Sequence, residues 1–345
     1  MSTHVAISSL SKGHFDAVKV PTPSPGEGEV LIKVAYSGLS PIDVYINDLA
    51  LIHATFPLTL GYSASGTIAQ VGPGVQDLKV GDRVAAYTYR ASESKGMQEY
   101  AIVTKSVVAM IPDSLPLDAA ATLPNNFITS FNSLFNPEYL ALPIPSSFPP
   151  STPPVLANTP VLVYGGATSC GHFAIQILRI AGYRNIMAIA SPKNHEQLRS
   201  LGAAHIFDYN SPRMVEDIKN VVEASSSNKK IEIPSGVVAI LLPFKMGNSF
   251  ESEELYMEIP DDMNPLPKGV RIAGVRNLKF EENAYMKDNI MPKILPALLQ
   301  IGAIQPHRVR LINELFGSLK ERVVVGMDLL RNDQVSREKV IVKVQ

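Results

Sequence analysis

The pattern of apolar and polar positions changes character near residue 160. Before it, short apolar runs at Val30–Ala35, Gly66–Val71 and Arg83–Ala86 read as strands, separated by Gly/Pro punctuation at Pro21–Gly28, Gly72–Gly74 and Lys79–Asp82. Two turn signals inside VGPGVQDLKVGDRV predict a compact all-β unit. Helical patterns follow at Ala119–Leu123 and Phe127–Leu134. Leu142–Pro160 is crowded with prolines, which continue neither a helix nor a central strand, so it reads as a surface excursion or junction inserted just before a second unit.

From Val161 strands and helices alternate, the mark of a parallel α/β sheet. Val161–Tyr164 is a strand and Gly171–Ala181 an amphipathic helix. Strand Ile186–Ala190 leads to helix His195–Leu201, stopped by Gly202, and strand His205–Tyr209 to a helix running from Pro212 to about Val222. Val237–Leu242 and Val270–Val275 are further strands. Ile290–Ile301 and Leu319–Leu330 read as helices and Lys339–Val344 as a closing strand. No internal repeat interrupts this order.

Composition narrows the function classes. With 345 residues, 46% hydrophobic, the chain can bury a core in about two domains without staples. Lys plus Arg is 31 against 32 for Asp plus Glu, and no basic cluster stands out, so nucleic acid is set aside. No apolar run reaches the roughly 18 residues of a membrane span, and the first residues lack a secretory pattern. The single cysteine, Cys170, permits no internal disulfide and suits a reducing compartment; a cytoplasmic protein is the expectation.

The central motif is VLVYGGATSCGHFAIQILRIAGY, a buried strand passing through Gly165, Gly166, Ala167, Thr168, Ser169, Cys170 and Gly171 straight into a helix. Glycines let such a turn approach a pyrophosphate, and the helix start offers N–H groups and positive dipole. The spacing is GGxxxxG, and the alternative is a merely structural turn; the flanking strands and helix favour a dinucleotide. The second strand is followed by Ser191, Pro192, Lys193 and Asn194, with no Asp or Glu to hold a ribose 2′-hydroxyl. Ser191 can donate to a 2′-phosphate and Lys193 can pair with it, so NADPH is the expected cofactor, the bland alternative being a polar loop.

The β-rich start, VGPGVQDLKVGDRV, the ATLP segment at Ala121–Pro124, the glycine turn, SPKN and LGAAHIFDY together resemble the medium-chain dehydrogenase/reductase superfamily, above all its zinc-free fungal members such as trans-acting enoyl reductases and quinone-reductase-like proteins. The resemblance covers nearly the whole chain. It implies an α/β protein with a GroES-like domain (residues 1–125 with 303–345) and a Rossmann-type doubly wound parallel sheet (126–302), with NADPH in the cleft between them. It further implies cofactor contacts from the loop Pro41, Ile42, Asp43 and Val44, from residues 167–170 and 191–194, from Tyr209, and from Val335 and Ser336. Zinc-dependent relatives carry a Cys after the first core strand and a Gly-His-Glu further on; here Ser37–Ser40 and Gly61–Tyr62–Ser63 stand instead, so no metal is expected.

One departure stands out. Only Glu223–Gly236 separates the third helix from Val237, too few residues for the strand–helix unit the resemblance implies. The sheet is therefore expected to have five strands, shortened by one unit, with Val237–Leu242 moving into the slot beside the first strand so that Leu241 and Leu242 border the nicotinamide. Tyr45 and Tyr62 are candidate proton donors, with core packing as the alternative. Asn125, Asn126 and Thr129 are candidate substrate contacts, or helix caps. The reading is an NADPH-dependent oxidoreductase passing hydride to an enone, quinone or aldehyde, as in an enoyl reductase of fungal secondary metabolism. The alternative is a degenerate member without redox turnover, acting as a scaffold or catalysing a redox-neutral step. The expected partners are a small-molecule substrate and a biosynthetic synthase, with the chain itself a monomer or homodimer.

Overall fold

A computed structural model describes residues 2–51, 55–225, 236–245, 255–258 and 269–345. The chain divides into two compact units, residues 1–125 with 287–345, and residues 126–286.

In the first unit β1 (Thr3–Ser11) pairs antiparallel with β2 (His14–Pro21). The long strand β3 (Glu29–Gly38) leads into α1 (Pro41–Leu49), and a two-residue strand, β4 (Leu58–Thr59), adds to β1. β5 (Ser63–Val71) and β7 (Tyr100–Thr104) both pair with β3, and β6 (Arg83–Tyr87) bridges β5 to β8 (Val108–Met110). Val30, Leu31, Ile32 and Val34 are sealed from solvent, so β3 is the core strand of this sheet. The short α2 (Leu117–Ala120) closes the segment. The expected loop at Pro41–Val44 is instead the first turn of α1. Ser40 is its N-cap, Pro41 supplies a pre-set φ, and the Asp43 carboxylate accepts the Ser40 N–H at 2.8 Å.

Helix α3 (Pro124–Phe135) carries Phe127, Phe131 and Phe135 at a spacing of four, which stacks them along one face. Phe148 packs on the last two, with ring centroids 5.5 and 6.0 Å away. That anchor, and the Tyr183 hydroxyl donating to the Pro143 carbonyl at 3.1 Å, hold the proline-rich excursion, which forms neither helix nor strand. Then follow β9 (Val161–Tyr164), α4 (Ser169–Ile180), β10 (Ile186–Ile189), α5 (His195–Leu201), β11 (His205–Phe207) and α6 (Met214–Ser225). The three strands form a parallel sheet in the order β11–β10–β9, each crossover a helix, as the periodicity predicts.

The next strands depart from expectation. β12 (Val237–Leu241) does not pair with β9; it forms a separate parallel ladder with β15 (Arg271–Val275), after the two-residue strands β13 (Phe244–Lys245) and β14 (Leu255–Tyr256). Among the described residues β9 pairs with β10 alone, and Leu162 and Tyr164 are correspondingly exposed. The expected single five-stranded sheet is thus three strands and two. Anchoring explains the split. The Arg271 guanidinium donates to the carbonyls of Glu138 and Tyr139, the Tyr139 hydroxyl accepts the Arg276 N–H at 3.1 Å, and the Tyr139 ring is buried with Ala273 and Val275. These contacts tie β15, and β12 with it, to the residues after α3. Much of the Glu223–Gly236 connection lies outside the described residues.

The predicted helix at Ile290–Ile301 is broken. α7 (Ala284–Asn289) runs into a π-turn at Ile290–Ile294 and then α8 (Leu295–Gln300), because Pro292 and Pro296 each remove a backbone donor. Ile290, Met291, Leu295 and Leu298 are buried, and this stretch packs against β8, so residues 287–302 fall with the first unit rather than the second. β16 (Arg308–Ile312), α9 (Leu319–Arg331) and β17 (Glu338–Lys343) finish that unit, β17 lying between β16 and β3. A bidentate Arg331–Asp48 pair ties α9 to α1 at 2.7 and 2.8 Å.

Candidate functional site

The glycine turn is built from backbone constraints. Gly165 sits at φ +75, where only glycine is unstrained, and the N–H groups of Gly165 and Gly166 both donate to the Ile189 carbonyl at 3.1 and 3.0 Å. The end of β10 therefore fixes the turn. At Gly171 an added Cβ would stand 2.3 Å from the Gly165 oxygen and 2.7 Å from the Gly166 Cα, so the start of α4 passes the turn too closely for any side chain. The Thr168 hydroxyl accepts the Gly171 N–H at 3.1 Å and caps the helix. A twelve-residue helix opening at a glycine turn has the chemistry to seat a dinucleotide pyrophosphate, since first-turn N–H groups have no acceptor within the helix.

The structure brings other predicted residues to this turn. Asn126 Nδ2 donates to Cys170 Sγ at 3.3 Å, and Ser130 donates to the Cys170 carbonyl at 2.8 Å. Asn126 Oδ1 is buried without a partner, an orphaned acceptor beside the glycine turn. Thr129 is buried, and its carbonyl accepts Ser133 Oγ at 2.7 Å. After β10, Pro192–Asn194 forms one tight turn in which Asn194 Nδ2 donates to Ser191 Oγ at 3.0 Å. Ser191 keeps its own proton to donate, and Lys193 is exposed beside it. Tyr209 is half-exposed just beyond β11.

Leu241 is exposed, and Leu242 packs over Gly274 of β15, because the strand that carries them is anchored on the residues after α3. Asn125 belongs to the first unit, its N–H donating to Ser63 Oγ at 3.3 Å. Also in the first unit, Val44 is core, Pro41 is exposed, and Val335 and Ser336 form the turn before β17. Tyr45 is half-buried; burial, then the charge of Asp333, raises its phenol above the ordinary range.

The first unit also holds a buried polar cluster that sequence reading overlooked. Asp43 is fully buried, its two oxygens accepting the N–H groups of Gly61 (2.7 Å) and Ser40 (2.8 Å). Burial pushes this carboxyl up, against the pull of those N–H groups and of Lys95 and Lys339. Lys339 Nζ donates to Ser40 Oγ at 2.9 Å. Lys95, 1% exposed, donates to the Tyr89 carbonyl at 2.9 Å and lies 3.4 Å from the centroid of the Tyr62 ring. Burial drives its ammonium down to about 7, opposed by Asp43, while burial and Asp43 together lift the Tyr62 phenol above its usual range. One signal was readable: Ser40-Pro41-Ile42-Asp43 has the spacing of a helix cap, which assigns Asp43 a backbone partner rather than a ligand. Nothing local marks Lys95.

Among the described residues no group of three or more His, Cys, Asp or Glu side chains could hold a metal ion, and no helix is long and apolar enough to cross a membrane.

Residues 26–113 match the alcohol dehydrogenase GroES-like domain. The trans-enoyl reductase himH of Aspergillus japonicus is 32% identical over 329 residues, covering 92% of this chain and 90% of that protein. The trans-enoyl reductase mycC of Thermothelomyces thermophilus is 29% identical over 91% of this chain and 89% of its own length. The crystal structure of CurK enoyl reductase shares the fold, with a TM-score of 0.71 over 99% of both chains at 20% identity.

Proposed function

This chain belongs to the medium-chain dehydrogenase/reductase superfamily, and from that premise we propose that it is a zinc-free reductase using NADPH on an α,β-unsaturated carbonyl carried by a biosynthetic synthase. The observation that carries the reading is the glycine cradle, closed to any side chain at Gly171 and capped by Thr168. The backbone of residues 165–171 would hold the pyrophosphate, and Ser191 with Lys193 the 2′-phosphate. Bound there, the nicotinamide supplies hydride to an activated double bond. Names of relatives such as himH and mycC support an enoyl substrate over a quinone or aldehyde.

Titration of NADPH fluorescence tests the cofactor. Saturable binding below about 100 μM is expected, and its absence sinks the reading. Turnover is then followed across enoyl thioesters, quinones and aldehydes; binding without oxidation of NADPH on any of them rejects the reductase. Lys193→Ala is expected to weaken NADPH about tenfold, the scale of one charged phosphate contact, while leaving NADH unchanged. Equal losses for the two cofactors would move the 2′-phosphate site elsewhere.

A further inference from the structure

Cys170 is the second residue of α4, inside the glycine turn, and the chain has no other cysteine. It is partly exposed. Its surroundings are fixed from α3, in the same unit: Asn126 Nδ2 donates to Sγ at 3.3 Å, and one helical turn on, Ser130 donates to the Cys170 carbonyl at 2.8 Å. Negative charge on the sulfur is stabilised by that amide donor and by the first-turn N–H groups of α4, and the thiolate is the form that reacts with oxidants.

A second observation lies on the amide itself. Asn126 is 9% exposed, and its Oδ1 is buried with no hydrogen-bond partner. A buried acceptor left unmet is costly, so its retention asks for a donor. Oδ1 shares its carbon with the Nδ2 that touches the sulfur, and so borders the same space. A thiolate has no proton to offer it. A sulfenic acid has one, on an oxygen that extends beyond the sulfur. The one amide thus presents a donor to the thiolate and an acceptor to its first oxidation product.

We propose that Cys170 is a redox-modification site, at which a peroxide forms a sulfenic acid held by Asn126 and a small thiol such as glutathione then caps it. In the first step the thiolate sulfur attacks a peroxide oxygen. The O–O bond breaks, an S–O bond forms and hydroxide leaves, so the sulfur loses two electrons and the peroxide gains them. In the second, the glutathione thiolate attacks that sulfur, an S–S bond forms and hydroxide is expelled. With no second cysteine in the chain, an internal disulfide does not compete. The glutathionyl group, attached within the turn, covers the backbone assigned above to the pyrophosphate. This closing of the turn rests on the reading of a dinucleotide site; the modification itself does not.

The test treats the protein with hydrogen peroxide and dimedone and follows the adduct by intact mass. Labelling is expected about tenfold faster than for glutathione at the same pH, and an equal or lower rate overturns the site. Asn126→Ala, checked for folding by circular dichroism, is expected to slow labelling about tenfold, the scale of a hydrogen bond to a charged group. A wild-type labelling rate in that variant overturns the role of the amide. Peroxide and glutathione together should add one glutathionyl group and lower NADPH affinity at least about tenfold, and dithiothreitol should restore it. Unchanged affinity, or a loss that dithiothreitol does not reverse, overturns the closing of the turn. A protein that takes up the glutathionyl group but binds no NADPH even before treatment overturns the reductase reading instead, leaving the modification site intact.

Discussion

Gly171→Ala is expected to cost about 100-fold or more in dinucleotide affinity, because it moves the backbone that would face the pyrophosphate. The new Cβ would stand 2.3 Å from the Gly165 oxygen and 2.7 Å from the Gly166 Cα, and both are main-chain atoms that cannot rotate away. Gly165 and Gly166 are themselves held to the Ile189 carbonyl, so relief must come from shifting the start of α4 by about an ångström. That shift also stretches the Thr168 cap, and a loss of about 1–3 kcal/mol in stability accompanies it. Fluorescence titration of NADPH and thermal denaturation measure the two effects. Gly236→Ala serves as the control, since among the described residues its Cβ would meet Val270 alone, at 3.9 Å. Wild-type affinity in Gly171→Ala would show that the turn does not hold the cofactor.

The second large effect is on folding. Asp43→Ala is expected to lose about 3–5 kcal/mol, a large share of a typical total of about 5–15 kcal/mol. It orphans the N–H groups of Gly61 and Ser40 and removes the carboxylate charge that attracts Lys95 and Lys339. Asp43→Asn keeps one oxygen acceptor but loses the charge, so an intermediate loss is expected. Urea denaturation followed by circular dichroism reads both, and a loss below about 1 kcal/mol in Asp43→Ala would show that the cluster is not coupled as its distances imply. The same substitution separates two roles for Asp43. A residue contacting cofactor would weaken NADPH binding at unchanged stability; a residue that ties α1 to Gly61 would do the reverse.

Much of the second unit was legible because its signals are local. Val161–Tyr164 and His195–Leu201 have the bounds their periodicity predicts, and Gly202 ends the latter at φ +122. The glycine turn was legible for the same reason: strand, turn and helix are contiguous, and Gly171 answers to Gly165 and Gly166 within six residues. Pro41 and Asp43 carry a local signal beside the resemblance: it implies cofactor contacts from this stretch, and the spacing from Ser40 to Asp43 encodes a helix cap, which the structure contains.

The sequence by itself determined the α/β class, the parallel βαβ order, the place of the glycine turn and the shortening before Val237, all properties of period, spacing and chain length. Only the tertiary structure decided which edge received Val237–Leu241 and what surrounds Tyr62. Strand pairing is settled by whichever surface completes the more buried contacts, and here Arg271 and Tyr139, about 130 residues apart, outweighed the edge of β9. The cluster of Asp43, Tyr62, Lys95 and Lys339 gathers residues spread over nearly the whole chain. Its charges interact because folding removes the water between them, which no spacing along the chain reveals.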